Sequence, residues 1–228
     1  MSPAPLACRE DWTLDCGVPN ESGVDQQARR WDAAYTAGGA EGVSWYQAEP
    51  AVSLELIEVL QIPHDAAVID IGGGASLLLD RLVERDFSDL TVLDVSAFAL
   101  QEHRRQLGDS GIVRLHEDVL EWSPQRRYDL WHDRALFHFL VTEADRRRYV
   151  ETLHAAIPPG GFLIVATFAL DAPERCSGLP VTRYSPDLLS HVLGDTFEPL
   201  ETRREVHTTP REVIQPFTWV AGRIAASS

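Results

Sequence analysis

The sequence predicts an α/β protein built on a mostly parallel sheet, and three observations lead there. Short runs rich in β-branched and aliphatic residues recur from Ala67 onward. Segments of helical periodicity, long enough to serve as crossovers, lie between them. A glycine run, Gly72-Gly73-Gly74, follows the first such strand directly. Apolar strands alternating with helices indicate a sheet covered on both faces and wound through right-handed crossovers.

Residues 1–23, rich in Pro, Gly and acids, read as an irregular leader, and without a continuous apolar stretch they do not resemble a signal peptide. A helix is expected over 24–37, capped by Asp25 and ended by Gly38-Gly39. Residues 43–47 form an aromatic loop, and Glu49-Pro50 leads into a helix over 51–60. Residues 24–60 are thus expected to form a helical lid on a core over 66–228, the two making one domain over 24–228. Strands are expected over 67–71, 90–94, 112–116, 128–132 and 161–168, joined by helices over 76–85, 97–107 and 145–156. A helix over 186–193 then precedes two successive strands, 197–207 and 217–224, which predict an antiparallel hairpin at the sheet edge.

The 228 residues suffice for one substantial core, and 44% hydrophobic with 24% charged residues is ordinary globular composition. A net charge of −15 opposes binding to a phosphate backbone, so no nucleic-acid partner is expected. The longest apolar run, 162–169, is too short to span a bilayer, so no membrane association is expected and the default compartment is the cytoplasm. All twenty basic residues are arginine, which with abundant Ala, Asp, Pro and Gly suggests a GC-rich bacterial genome. Absence of lysine removes the Walker-type phosphate loop, the pyridoxal Schiff base and the kinase lysine. Cys8, Cys16 and Cys176 lack CxxC spacing, so neither a disulfide framework nor a metal site is expected.

Ligands of such sheets bind beyond the carboxyl ends of the strands. The first strand ends in Asp70-Ile71-Gly72-Gly73-Gly74-Ala75-Ser76, where glycines let the backbone turn and approach a ligand closely. A dinucleotide fingerprint would require a third glycine where Leu77 stands, and Asp70 would repel a pyrophosphate. An acidic loop suits instead the ammonium and sulfonium of S-adenosylmethionine. Asp94, ending the second strand, is placed to accept bonds from ribose hydroxyls, and Asp118, after the third, to accept from the adenine amino group.

Asp-Ile-Gly-Gly-Gly-Ala-Ser (70–76), Leu-Asp-Val-Ser (93–96), Glu-Asp-Val-Leu (117–120), Tyr-Asp-Leu-Trp-His-Asp-Arg (128–134) and Pro-Pro-Gly-Gly-Phe-Leu-Ile (158–164) resemble the successive motifs of class I methyltransferases. Trp31-Asp32-Ala33-Ala34-Tyr35 with Ser44-Trp45-Tyr46 resembles the opening of the protein-lysine and thiol methyltransferase-like branches. The resemblance runs from about Trp31 to the C-terminus. It implies a Rossmann-like, seven-stranded sheet whose last strand is antiparallel, S-adenosylmethionine as cofactor and S-adenosylhomocysteine as product. It further implies a cofactor site of Asp70, Gly72, Gly73, Gly74, Asp94, Val95, Ser96, Asp118, Val119 and Trp45.

The acceptor pocket is expected beyond the fourth strand, at His132 to Phe139. His138 is the candidate general base, against the reading of a histidine packed among aromatics. Asp133 and Arg134 fit either an ion pair or, for Arg134, a bidentate grip on an anionic substrate. Trp31, Tyr35, Trp45 and Tyr46 fit a lid over the sulfonium, or for Trp31 and Tyr35 an anchor for the first helix. Phe137 completes the pocket, and Cys176 and Arg183, in the long loop after the fifth strand, are further candidate substrate contacts. The leading function is methyl transfer to O, N or S of a small molecule. Protein methylation, thiol or metalloid methylation, and a non-catalytic binding module stand as alternatives.

Overall fold

The computed structural model describes residues 23–107 and 111–226. Residues 1–22 of the expected leader, Cys8 and Cys16 among them, lie outside the described residues. One sheet organises the rest. Its strands are β1 (Ala67–Ile71), β2 (Asp89–Asp94), β3 (Val113–His116), β4 (Leu130–Arg134), β5 (Phe162–Phe168), β8 (Phe197–Thr208) and β9 (Ile214–Ile224), in the order β3-β2-β1-β4-β5-β9-β8. The first five pair in parallel, whereas β9 runs antiparallel to both β5 and β8. The order reverses between β2-β1 and β4, which opens a crevice at the carboxyl ends of β1 and β4. A two-stranded ribbon, β6 (Arg175–Cys176) and β7 (Leu179–Pro180), stands apart and turns through Ser177 and Gly178, both at positive φ.

Helices α2 (Ala51–Val59), α3 (Leu78–Val83) and α4 (Ala97–Leu107) supply one face. Leu54, Leu79 and Leu100 pack there with Val68, Leu130 and Ile164 from the strands. On the other face α5 (Glu143–Ala156) and α6 (Pro186–Leu193) bring Tyr149, Leu153 and Leu189 against Ile69, Trp131 and Val165. Alternate residues of each buried strand thus feed two separate cores. Thr142 begins α5 by accepting from the Asp145 backbone amide at 3.1 Å, and Ser185 does the same for Leu188 at the start of α6.

Of the boundaries that depart from expectation, those of α1 and β4 bear on the site. Helix α1 (Gly23–Gly42) does not stop at Gly38-Gly39; Gly39 (φ 68°, ψ 177°) kinks it and a further turn follows. Strand β4 starts and ends two residues later than expected, because Arg134 still pairs with Ala166 while Tyr128 instead donates its amide to the Ala156 carbonyl. Asp133 and Arg134 therefore belong to the strand, and strand geometry dictates where they point. Among the described residues, no helix is long and apolar enough to cross a membrane.

Candidate active site

The glycine turn is a cradle with no room to spare. Gly72 and Gly74 adopt φ of +67° and +44°. A Cβ on Gly74 would meet Tyr35 Oη at 2.6 Å and Asp94 Oδ2 at 2.8 Å. One on Gly72 would lie 2.7 Å from Leu136 Cδ1, and one on Gly73 would collide with the Asp70 carboxylate.

Beside this turn lies a cleft of two adjoining lobes that share Tyr35, Trp45, Gly72 and Arg134. The larger lobe takes in Asp94, Val95, Asp118 and Val119 from the ends of β2 and β3, with Trp31 and Phe139 opposite. The smaller lobe takes in Asp70, Gly73, Tyr46, Ser53 and His132. Asp94 is buried, with its Oδ1 accepting from the Ser96 amide at 2.7 Å. Burial, reinforced by the neighbouring Asp70 and Asp32 carboxylates, raises its carboxyl pKa to about 7. Burial also raises Asp118, whose Oδ1 accepts from the Leu120 amide.

The lid is fastened from α1 and from the loop after it. Asp32 Oδ1 accepts from Ser96 Oγ at 2.6 Å and from the Phe98 amide at 3.2 Å, so an α1 side chain caps α4. Trp45 Nε1 donates to Tyr35 Oη at 3.1 Å, and edge-to-face contacts join Trp31 to Trp45 and Phe139. Ser44 O bonds His207 Nε2 at 2.8 Å, Gln47 Nε2 donates to Glu205 Oε1 at 2.5 Å, and Arg134 Nη1 donates to Trp45 O at 2.9 Å. Residues 44–47 are thereby tied to β8 and β4.

Side-chain alternation along β4 sorts the expected polar cluster. His132 and Arg134 face the cleft, while Trp131 and Asp133 face α5. His132 Nδ1 lies 2.7 Å from Asp70 Oδ1, its register partner on β1, and Nε2 lies 2.9 Å from Ser53 Oγ of α2. All three residues are buried. Asp133 accepts from Tyr149 Oη at 2.6 Å and from the Leu136 amide at 3.0 Å, and burial raises its pKa to about 6. An Asp133–Arg134 ion pair does not form, because neighbours in a strand point to opposite faces. Asp133 is a structural support of the 3₁₀ turn Phe137–Phe139, not a cleft residue.

Other expected site residues are likewise redistributed. His138 is fully buried against Phe139 and Phe168, at centroid distances of 4.4 and 4.6 Å, and neither ring nitrogen has a hydrogen-bond partner. Burial, with Arg134 adding like charge, lowers its pKa to about 3. A histidine so enclosed cannot reach an acceptor proton, which corrects its reading as the base. Phe137 packs on Tyr149 and Tyr184 in the opposite core. Cys176 is buried with Ser44 Oγ 3.8 Å from its sulfur, and burial raises its thiol pKa. Arg183 is held within its own loop by Ala172 O and Glu174. Ser96 binds Asp32 and does not line the cleft, and Gly74 serves through the space it leaves. Sequence reading gave Asp32 and Ser53 no site role, and it placed His132 at the acceptor pocket without its contacts to Asp70 and Ser53.

The glycine cradle and the strand-end acids fit a methionine-linked nucleoside by shape and by charge. Residues 69–163 match the family described as a methyltransferase domain. EEF1A lysine methyltransferase 2 of Danio rerio is 29% identical over 154 residues, 60% of this chain and 66% of that protein. The Homo sapiens protein of the same name is 28% identical over 174 residues, 67% of this chain and 74% of that protein. Among solved structures, the Burkholderia thailandensis 1,6-didemethyltoxoflavin-N1-methyltransferase superposes with a TM-score of 0.67 at 18% identity, covering 99% of this chain and 94% of that one. Fold, cradle, acids and relatives agree: residues 69–163 are similar to a methyltransferase domain, carried on the same Rossmann-like sheet as solved S-adenosylmethionine-dependent methyltransferases.

Proposed function

We propose that the chain moves the methyl group of S-adenosylmethionine to an O, N or S nucleophile of a small-molecule acceptor, by alignment inside the two-lobed cleft. The observation that carries this reading is the cleft itself, roofed by α1 and residues 44–47 and continuous from the strand-end acids to Arg134. When bound, the cofactor supplies a methyl carbon already activated by its sulfonium. Asp94 accepts from the ribose hydroxyls, Asp118 and the Val119 backbone serve the adenine, and Val95 walls the larger lobe. Gly72, Gly73 and Asp70 receive the amino-acid end, and Trp45 with Tyr35 and Tyr46 covers the sulfur. Held in this way, the cofactor would give up its methyl group to the acceptor lone pair and be left as S-adenosylhomocysteine. A proton carried by the acceptor passes to water, since His132 is already engaged by Asp70 and Ser53. The protein's work is then proximity and orientation.

Protein-lysine methylation is the second reading, favoured by the likeness to EEF1A lysine methyltransferase 2 and by an acidic chain suited to basic targets. Incubation with methyl-labelled cofactor and separate metabolite and protein extracts tests both. Label in the metabolite fraction supports the first reading; label confined to protein rejects it for the second. S-adenosylhomocysteine binding without transfer to either extract would support a non-catalytic module.

A further inference from the structure

We propose that the free edge of the Arg134 guanidinium is a carboxylate site for the methyl acceptor. This rests on the small-acceptor reading and names the chemical class of that acceptor. Arg134 ends β4 and lines both lobes, with its side chain only 9% exposed. Its position is fixed on two sides. Nη1 donates to Trp45 O, and the guanidinium lies over the Phe217 ring at 4.7 Å. Nε and Nη2 are buried and have no hydrogen-bond partner. These two nitrogens share one edge of the planar group, the fork that meets the two oxygens of a carboxylate. Buried donors of a cation left unpaired are costly, so their retention points to a ligand that completes them.

The direction of the side chain identifies which ligand. The glycine turn belongs to β1, and Asp94 and Asp118 stand beyond β2 and β3. Arg134 reaches the other way across the sheet, passing β5 to stack on Phe217 of β9. The guanidinium thus lies toward β5 and β9, the side of the cleft opposite β2 and β3, and we take that side for the acceptor. Glu205 sets the permitted charge. It lies 3.6 Å from Nη2, but its Oε1 is taken by Gln47 and its Oε2 by Trp219 Nε1 at 3.0 Å. It offsets part of the guanidinium charge without filling the fork, so a singly charged planar anion is favoured over a phosphate.

The test titrates the S-adenosylhomocysteine complex of the full chain with benzoate and with neutral benzamide, followed by ligand-observed NMR. Benzoate should bind at least about tenfold more tightly than benzamide, as two charge-assisted bonds require. With the ratio measured on the S-adenosylhomocysteine-saturated complex, Arg134→Gln should abolish that preference and Arg134→Lys, which keeps the charge but not the fork, should reduce it severalfold. Equal binding of benzoate and benzamide by the wild-type complex would overturn the proposal without need of any variant. So would a large loss of S-adenosylhomocysteine affinity in Arg134→Gln that is absent for its decarboxylated thioether analogue, since the fork would then hold the cofactor's own carboxylate. Failure of the wild-type chain to bind S-adenosylhomocysteine would instead strike the methyl-transfer reading itself.

Discussion

Replacing Asp94 by Asn should stabilise the ligand-free protein above neutral pH and weaken its hold on the cofactor. The carboxyl pKa is 3.8 in an ordinary setting and about 7 here, raised by burial. Between those values the folded chain binds a proton that the unfolded chain lacks, so this group's contribution falls as pH rises from about 4 to about 7. Ionised Asp94 then costs the apo fold up to about 4 kcal/mol at pH 8, from roughly 1.4 kcal/mol per pKa unit. Asn can still accept from the Ser96 amide, so the charge goes and the turn stays. Even half the ceiling, about 2 kcal/mol, raises the Tm of a chain this size by about 4–8 °C. On the proposed reading cofactor binding acts in the opposite sense, because ribose hydroxyls would donate to the ionised carboxylate. Binding of S-adenosylhomocysteine should release about 0.9 proton at pH 6 and about 0.1 at pH 8, read by calorimetry in buffers of different ionisation enthalpy. Affinity should fall by about 2–4 kcal/mol in Asp94→Asn. Equal proton release at both pH values, or a variant that melts below wild type at pH 8, would refute the reasoning.

Gly74→Ala forces a Cβ against Tyr35 Oη and Asp94 Oδ2 at positive φ, and should cut S-adenosylhomocysteine affinity by about tenfold or more; unchanged affinity by calorimetry contradicts a tight cradle. His132→Ala strands a buried Asp70 carboxylate and should cost about 3–5 kcal/mol in urea denaturation, whereas Ser53→Ala should cost about 1 kcal/mol. His138→Gln should leave turnover within a few-fold of wild type across the pH range, and loss of a near-neutral limb in the pH–rate profile would restore it as the base. His138→Leu should lessen the decline in stability on acidification. The folded pKa of about 3 lies below the ordinary 6.5, so the unfolded chain gains a proton first as pH falls through 6.5; equal acid sensitivity in thermal melts would contradict the burial of a neutral ring.

What could be read from sequence was what neighbouring residues determine. The turn after β1 carries its own glycines, and Asp94 sits at the end of its own strand, so both were legible in a short window. The His132–Asp70 pair joins residues 62 apart through sheet register, and no local pattern encodes register. Asp32 capping a helix 66 residues later is hidden for the same reason. His138 misled because a titratable ring among His, Asp and Arg looks like chemistry, whereas its enclosure depends on Phe168 and Phe217 from distant strands. The end of β4 was misjudged because Asp133 and Arg134 have low strand propensity, and pairing with β5 overrode it. The β6–β7 ribbon announced its turn in Ser177-Gly178, but two-residue strands are too short to show alternation.

The division of β4 between two faces has an evolutionary consequence. Trp131 and Asp133 are committed to Tyr149 and the α5 core, while His132 and Arg134 are committed to the cleft. A single five-residue segment thus carries two separable roles, interleaved one residue at a time. If Arg134 grips the acceptor as proposed, drift at that position should change which molecules bind without disturbing the Asp133–Tyr149 contact one residue earlier. Homologues with different acceptors should then diverge at that position while keeping the odd-numbered pair, and an exhaustive substitution scan of 131–134 should alternate between losses of abundance and losses of specificity.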